Sequence, residues 1–535
     1  MKIKEIFLKI MIIISWMIFS IVLVPYSLKN IIFTMISIFI VLSILLFKYK
    51  FDKLSRKKII YTSILTLYID KLYLKYFKIS FDLFCDRFSS ISFLDKYYNL
   101  IIVLFFILCL PSIFFIINYI VDKIKPILLK EYNKIDKIDK YFMLIVLVIS
   151  FYLSFFINYK TTAFGVSYYG GSHMNYDIIY TSDSSYLSFY DTWFNVACLE
   201  NDIRQPLFGV FALPFSIIPH IMNDLFFFIP DNVGYELFMI IMQFFILSLI
   251  AIMLSKLMKI DGKEKIIFYL MLFVSYPFII FGFMLEQYVI AVFYLLLCIY
   301  LFNNNYFKIN YTYIGATGSL LTSGVLLPFI CKYDNLKMYL RNVFRCFIAF
   351  MIVVILSGQL QQLLSITDFL SLLSEFGGQK ISFFNKVCQY TSFIKGLFIP
   401  NTGHIVWLDN GWYPTYQLIN SNSINYVGII ILVVLLFSFI INRKEFISKV
   451  SILWILFSII ILMIIGWGTS ENGLILYSLY FGWAFYVLFY LLLKKIFKNK
   501  YVFTCVSIMA IICIGFFSIR EFINIIEFAI TYYPR

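Results

Sequence analysis

Charge is what this chain has least of. Only 14% of its 535 residues are charged and 62% are hydrophobic, whereas a soluble domain averages about 25% charged and roughly 45–50% apolar. A soluble protein of this length would divide into about three or four domains, and there are too few charges here to coat that many surfaces. The excess apolar surface, with a mean hydropathy of +0.90, must face lipid. These figures exclude a soluble enzyme, a secreted disulfide scaffold, a nucleic-acid binder and a disordered chain. They point to an all-α, polytopic transmembrane helical bundle.

Metal- and redox-type patterns are also missing. The three histidines (His173, His220, His404) lie far apart and suggest no metal site. The nine cysteines form no CxxC pair and sit mostly in apolar runs, where cysteine acts as a small hydrophobe. Only Cys198 and Cys388 fall in long polar stretches, where one disulfide is conceivable. The first apolar run, Phe7 to Val24, lacks a small-residue cleavage site and is soon followed by a second run, so it reads as an anchor.

What is present is a series of runs near the roughly 20 apolar residues needed to span a bilayer. Spans are expected at 7–25, 31–47, 98–121, 141–158, 236–255, 266–283, 287–302, 343–357, 425–442, 450–466, 473–493 and 501–518. Segments 59–77, 206–229 and 312–330 are intermediate in character, giving about 12–14 spans. The chain then divides into N-terminal membrane helices (1–140), a membrane core with an acidic outer loop at 159–207 (141–358), a second outer loop (359–424) and C-terminal membrane helices (425–535). Both outer loops are expected to hold short helices.

The net charge of +15 comes from Lys-rich stretches between the runs, the pattern that orients a membrane protein with its cations in the cytoplasm, against anionic headgroups. Segments 256–265, 332–345, 443–449 and 494–500 are basic and expected inside, whereas 159–207 and 358–424 are expected outside. Parity then leaves one crossing between 207 and 256. Segment 206–229, with Pro206, Pro214 and Pro219, is therefore expected to be helix-broken, entering and leaving the membrane or lying on it. Segment 312–330, with Gly315, Gly318, Gly324 and Pro328, reads as a broken hairpin. Between the basic stretches 48–58 and 123–140, either 59–77 crosses or 98–121 bends at Pro111.

Carboxylates beside a bilayer are costly and mark candidate sites. The first outer loop gathers Asp183, Asp191, Glu200 and Asp202 with Arg204 and several aromatics. A carboxylate there can act as general base toward an acceptor hydroxyl. Arg204 can hold an anionic phosphate as a planar fork. Against this stands the plainer role of Asp183 as a helix N-cap. Glu286 is expected at the outer tip of a tight hairpin, and no other charge occurs between Lys265 and Lys308. Glu471, in Trp467-Gly-Thr-Ser-Glu471-Asn472, occupies another outer turn. Trp407 and Asp409, in His404-Ile-Val-Trp407-Leu-Asp409, fit either sugar stacking or an interfacial aromatic belt.

Asp183-Ser-Ser-Tyr186, then Arg204-Gln205-Pro206-Leu207-Phe208, then Ser275, Pro277 and Glu286 together resemble the GT-C superfamily of polytopic glycosyltransferases, which includes protein O-mannosyltransferases and lipid A aminoarabinose transferases. In that superfamily the first large outer loop carries an acidic motif followed by a basic-Pro-Leu motif. The likeness covers roughly 140–330. It departs from the family pattern in the tyrosine arriving one residue early, in Ser184 standing where a second acid is usual, and in the several spans that precede the acidic loop.

The resemblance implies an inverting transfer from a polyprenyl-phosphate-linked sugar in the bilayer to a cell-envelope glycan, lipid or protein. Asp183 would be the catalytic base and Arg204 would bind the donor phosphate. Asp191, Asp202, Glu286, Trp407, Asp409 and Glu471 would line the substrate cavity, with a divalent cation left open. The rivals are a polysaccharide polymerase or flippase, a transporter and a membrane scaffold. A polymerase should carry more outer arginines than Arg204. A transporter should place ionisable groups deep in its spans and show a repeat between halves.

Overall fold

The computed structural model describes residues 2–23, 28–48, 57–69, 71, 96–164, 178–180, 204–226, 229, 233–303, 310–326, 335–357, 360, 377–378, 381–408, 413–469 and 474–535. Apart from one two-stranded hairpin, the named elements are helices. Among the described residues eight helices are long and apolar enough to cross a bilayer, or nine if one bent pair counts as a single span. Three shorter apolar stretches, Met35–Leu46, Tyr288–Asn303 and Tyr426–Asn442, fall below that length. The chain is a multi-pass membrane protein of all-α class.

Two compact units emerge. The first comprises Met1–Asp136, Trp193–Val210 and Phe347–Ser365. Here α1 (Lys2–Leu23), α2 (Leu28–Lys48) and α3 (Tyr98–Tyr132) pack around Ile12, Ile13, Ile38, Leu42 and Leu46. The Trp16 indole donates to the Leu356 carbonyl at 2.8 Å, and Ser15 and Ser112 share a hydrogen bond across α1 and α3. Helix α3 is continuous through both Pro111 and Pro126. Residues 57–69 are helical as well.

The second unit holds Lys137–Thr192, Phe211–Cys346 and Ile366–Arg535. Its helices in order are α4 (Lys137–Lys160), α5 (Phe208–Leu225), α6 (Val233–Leu257), α7 (Lys263–Phe273), α8 (Tyr276–Phe283), α9 (Tyr288–Asn303) and α10 (Asn310–Ser319). There follow α11 (Leu336–Leu356), whose residues from Phe347 on belong to the first unit, α12 (Phe383–Phe398), the hairpin β1 (His404–Leu408) and β2 (Tyr413–Gln417), α13 (Tyr426–Asn442) and α14 (Phe446–Ser458). Last come α15 (Ser478–Ile496) and α16 (Lys500–Tyr532). Helices α6 and α15 form the interior, buried on nearly every side. Helices α4 and α16 turn rows of Ile, Val and Phe outward, as lipid-facing helices do.

Pro214 and Pro219 do not break the helix they fall in. Helix α5 runs continuously through Pro214 and Pro219, and Tyr294 donates to the Phe211 carbonyl at 3.0 Å beside the first of them. The break lies instead between α7 and α8, which meet at 64°, with Ser275 extended at the N-cap and Pro277 in the first turn of α8. Pro is suited to that position because its missing N–H has no helical partner there. Segment 312–330 is interrupted as expected, α10 giving way to a 3-10 turn at Leu321–Leu326. The β-hairpin in the second polar stretch was not foreseen. Helix α12, in the same stretch, matches the expected short helix. It carries Cys388 as a buried free thiol.

Two lysine ion pairs mark one end of the second unit. Lys494 pairs with Glu264 at 2.8 Å and the Tyr490 hydroxyl donates to the Glu264 carbonyl at 3.2 Å, joining the C-terminus of α15 to the start of α7. Lys265, also on α7, donates to Asp139 on α4 at 3.0 and 3.2 Å, and Tyr269 donates to the same carboxylate at 2.7 Å. At the far end Thr161, just past α4, donates to the carbonyls of Ala529 and Tyr533 on and beyond α16. Arg535 approaches the buried Glu236 of α6 at 3.6 Å.

Candidate functional site

The site begins where the chain reverses between α8 and α9. One side-chain amide reaches the carbonyls of Phe281 and Gly282 at the C-terminal end of α8 and that of Met284 just past it, the last of which also accepts from the Glu286 amide at 2.9 Å. The Gln243 amide nitrogen, midway along α6, lies 3.2, 3.1 and 2.7 Å from the carbonyl oxygens of Phe281, Gly282 and Met284. Gly282 permits this approach, since a Cβ there would collide with the Phe244 ring. Glu286 follows at once, with no solvent exposure, and its Oε2 accepts from the Gln287 amide at 3.2 Å. The Tyr288 ring meets Tyr480 edge-on at 4.7 Å. Because Tyr480 opens α15, the reversal lies toward the end away from the lysines. Glu286 is therefore recessed inside the bundle rather than solvated at a tip.

A second cluster of buried polar groups in the same unit escaped the sequence reading. The Glu521 Oε1 accepts from the Gly403 amide and from the Tyr416 hydroxyl, each at 2.8 Å, and Oε2 accepts from Asn524 at 3.1 Å. Tyr416 on β2 exchanges backbone hydrogen bonds with the segment 178–180: Tyr180 donates to the Tyr416 carbonyl and Tyr416 to the Ile178 carbonyl, both at 2.8 Å. The Tyr180 hydroxyl in turn hydrogen-bonds that of Tyr276, at the start of α8.

Tyr180 adopts a left-handed backbone with φ of 57°. For a bulky side chain this is strained and persists only where the surroundings fix it. Burial pushes the Tyr180 phenol well above its ordinary value, and the nearby Tyr276 and Glu521 push the same way. Burial and then Glu521 do the same to Tyr416. The cluster thus holds neutral phenols around one carboxylate.

Arg204 is half-buried in the turn that leads into α5, where Phe208 donates to the Gln205 carbonyl at 3.1 Å. Trp407 is 51% exposed on β1, its ring edge-on to Tyr532 at 5.6 Å. Asp183, Asp191, Glu200, Asp202, Asp409 and Glu471 lie outside the described residues. The described residues therefore bring Glu286 and Glu521 into one unit as buried carboxylates, and they leave Trp407 open at the surface. No three His, Cys, Asp or Glu among them gather as a metal site.

The signal that could have found Glu521 is its position. It stands with Arg520 at the end of a long apolar run that begins near Tyr501, and a carboxylate there needs partners. Tyr416 and Tyr180 gave no such signal in a chain with 41 tyrosines. Comparison of the chain with protein-family models, with characterised proteins and with solved structures returns no match.

Proposed function

We propose that this protein is a glycosyltransferase of the cell membrane, moving a sugar from a polyprenyl-phosphate donor to a cell-envelope acceptor on the outer face. The observation that carries the reading is Glu286, a carboxylate with no solvent exposure at a chain reversal inside the bundle. Burying a carboxylate is costly, and a plain surface turn has no need of it. The sequence adds the acidic loop with Asp183 and the Arg204-Gln-Pro-Leu motif.

In this reading Asp183 takes the proton of an acceptor hydroxyl as its oxygen attacks the anomeric carbon. The bond to the polyprenyl phosphate breaks, the phosphate leaves with the electron pair, and the sugar inverts. Arg204 binds that phosphate. Glu286, with Asp191, Asp202, Trp407, Asp409 and Glu471, holds sugar and acceptor. The positive-inside rule puts the lysine end in the cytoplasm and Glu286 toward the outer side. A transporter is less well supported, because the buried pair Asp139–Lys265 lies at helix ends and not midway along a span.

The test is transfer of labelled sugar from polyprenyl-phosphate donors in membranes containing the protein. General base catalysis contributes about 10²–10⁴-fold, so Asp183→Asn should lose transfer by about that factor. Glu286→Gln should lose at least about 10-fold through weaker substrate binding. Absence of transfer with every such donor, or full activity in Asp183→Asn, overturns the proposal.

A further inference from the structure

Glu286 stands three residues beyond α8, and a chain of contacts that starts on α16 holds that helix. The Glu521 carboxylate accepts from the Tyr416 hydroxyl at 2.8 Å, and Tyr416 pairs through its backbone with Ile178 and Tyr180. The Tyr180 hydroxyl then meets that of Tyr276, the first residue of α8. The rings stand edge-on along the same path, Tyr416 to Tyr180 at 5.7 Å and Tyr180 to Tyr276 at 6.5 Å. The residue after Glu521, Phe522, stacks on Phe283, the last residue of α8, with ring centroids 5.0 Å apart. Both ends of α8 are thus tied to α16, and the Gln243 amide adds a contact with α6.

With 8 residues, α8 is about 12 Å long. It lies between the 64° break and the reversal, and so short a helix takes its placement from tertiary contacts. The tie at its N-terminal end is built in a costly way. Tyr180 and Tyr276 are both fully buried, and Tyr180 holds a left-handed φ of 57°, a strain that gathers where geometry serves function. Two phenylalanine rings would fill the same space with no hydroxyl to satisfy. A hydroxyl pair fixes direction and distance in a way that apolar contact does not.

We propose that Tyr180 and Tyr276 are positioning residues: their hydroxyl pair sets where α8 begins and so where Glu286 stands. Neither phenol acts on the substrate directly; each acts through Glu286. The assignment rests on the role given to Glu286 in sugar transfer, whereas the placement of α8 itself can be read without any donor.

The experiment compares wild type, Tyr180→Phe, Tyr276→Phe and the double Phe variant as full chains in neutral detergent. Hydrogen exchange of peptides covering 276–288 reads the placement of α8. Each variant should exchange about 2–10-fold faster there, the worth of one hydrogen bond. The double variant should exchange no faster than the singles, since all three lose the same bond. The thermal midpoint separates this from a packing role. It should fall in each single variant, which strands one buried hydroxyl, and recover in the double variant, which strands none. In the transfer assay the double variant should nevertheless lose about 10-fold through a misplaced Glu286, and adding either Phe substitution to Glu286→Gln should cost nothing further. Unchanged exchange at 276–288 in the Phe variants overturns the assignment. So does transfer that recovers with the thermal midpoint in the double variant, or losses that multiply with that of Glu286→Gln. Absence of transfer in wild type fells the glycosyl-transfer reading alone, and the exchange rates then decide the positioning of α8. If one single variant fails to fold, the other and the double variant remove the same bond.

Discussion

The Glu521 carboxylate on α16 holds the Tyr416 hydroxyl of the β-hairpin at 2.8 Å. With the Gly403 amide on the same oxygen, one side chain pins the hairpin to the bundle. Hydrogen bonds to a charged group are worth about 1.5–3 kcal/mol each. Glu521→Gln keeps the shape but removes the charge, and should destabilise the hairpin by about 2 kcal/mol. Limited proteolysis between His404 and Gln417 should then become faster while the helices stay protected. An unchanged cleavage rate would refute the pinning role.

The raised phenol of Tyr180 sets an alkaline limit. Its folded value lies above the ordinary 10.0, so the unfolded chain loses the proton first as pH climbs. The stabilisation is fully present below about pH 10 and is lost above it, by up to about 1.4 kcal/mol per pH unit. Tyr180→Phe cannot ionise, so the decline of the unfolding midpoint above pH 10 should become shallower, a contrast that alkaline thermal scans can read.

Asp139 and Lys265 are both buried, with side chains 0% and 4% exposed. Removing one partner of such a pair strands the other charge and costs about 3–5 kcal/mol. Asp139→Leu and Lys265→Met should each reach that range. The double variant should cost less than the sum, because no charge is left unpaired. Additive losses in denaturant unfolding would mean that the pair is not coupled.

Gly466 combines a left-handed backbone with a close approach to Lys386. Gly466→Ala should cost about 1–3 kcal/mol from conformational strain, plus displacement of the ammonium. The control is Gly262, also left-handed at φ of 58° but with open space around it, where Ala should cost the strain alone. Equal losses in thermal midpoint at the two positions would show that contact with Lys386 adds nothing.

The membrane class was legible because it depends on a sum over many residues. The apolar runs give the helices of both units, and the ion pairs of Lys265 and Lys494 gather at the end the basic stretches indicate. Prolines misled, because in an apolar medium an open backbone is costlier than a strained helix. Pro214 and Pro219 are therefore carried inside α5, while the real break falls at Ser275–Pro277. Glu286 was legible as an isolated charge in an apolar stretch. Of Glu521 only its place at the end of an apolar run was legible, since its partners Gly403 and Tyr416 lie more than a hundred residues away.

The Gln243 amide, within reach of three carbonyls at the end of α8, ties the reversal to a neighbouring helix. Moving that amide one turn along α6 would take it about 5.4 Å away from these carbonyls and leave the end of α8 uncapped beside Glu286.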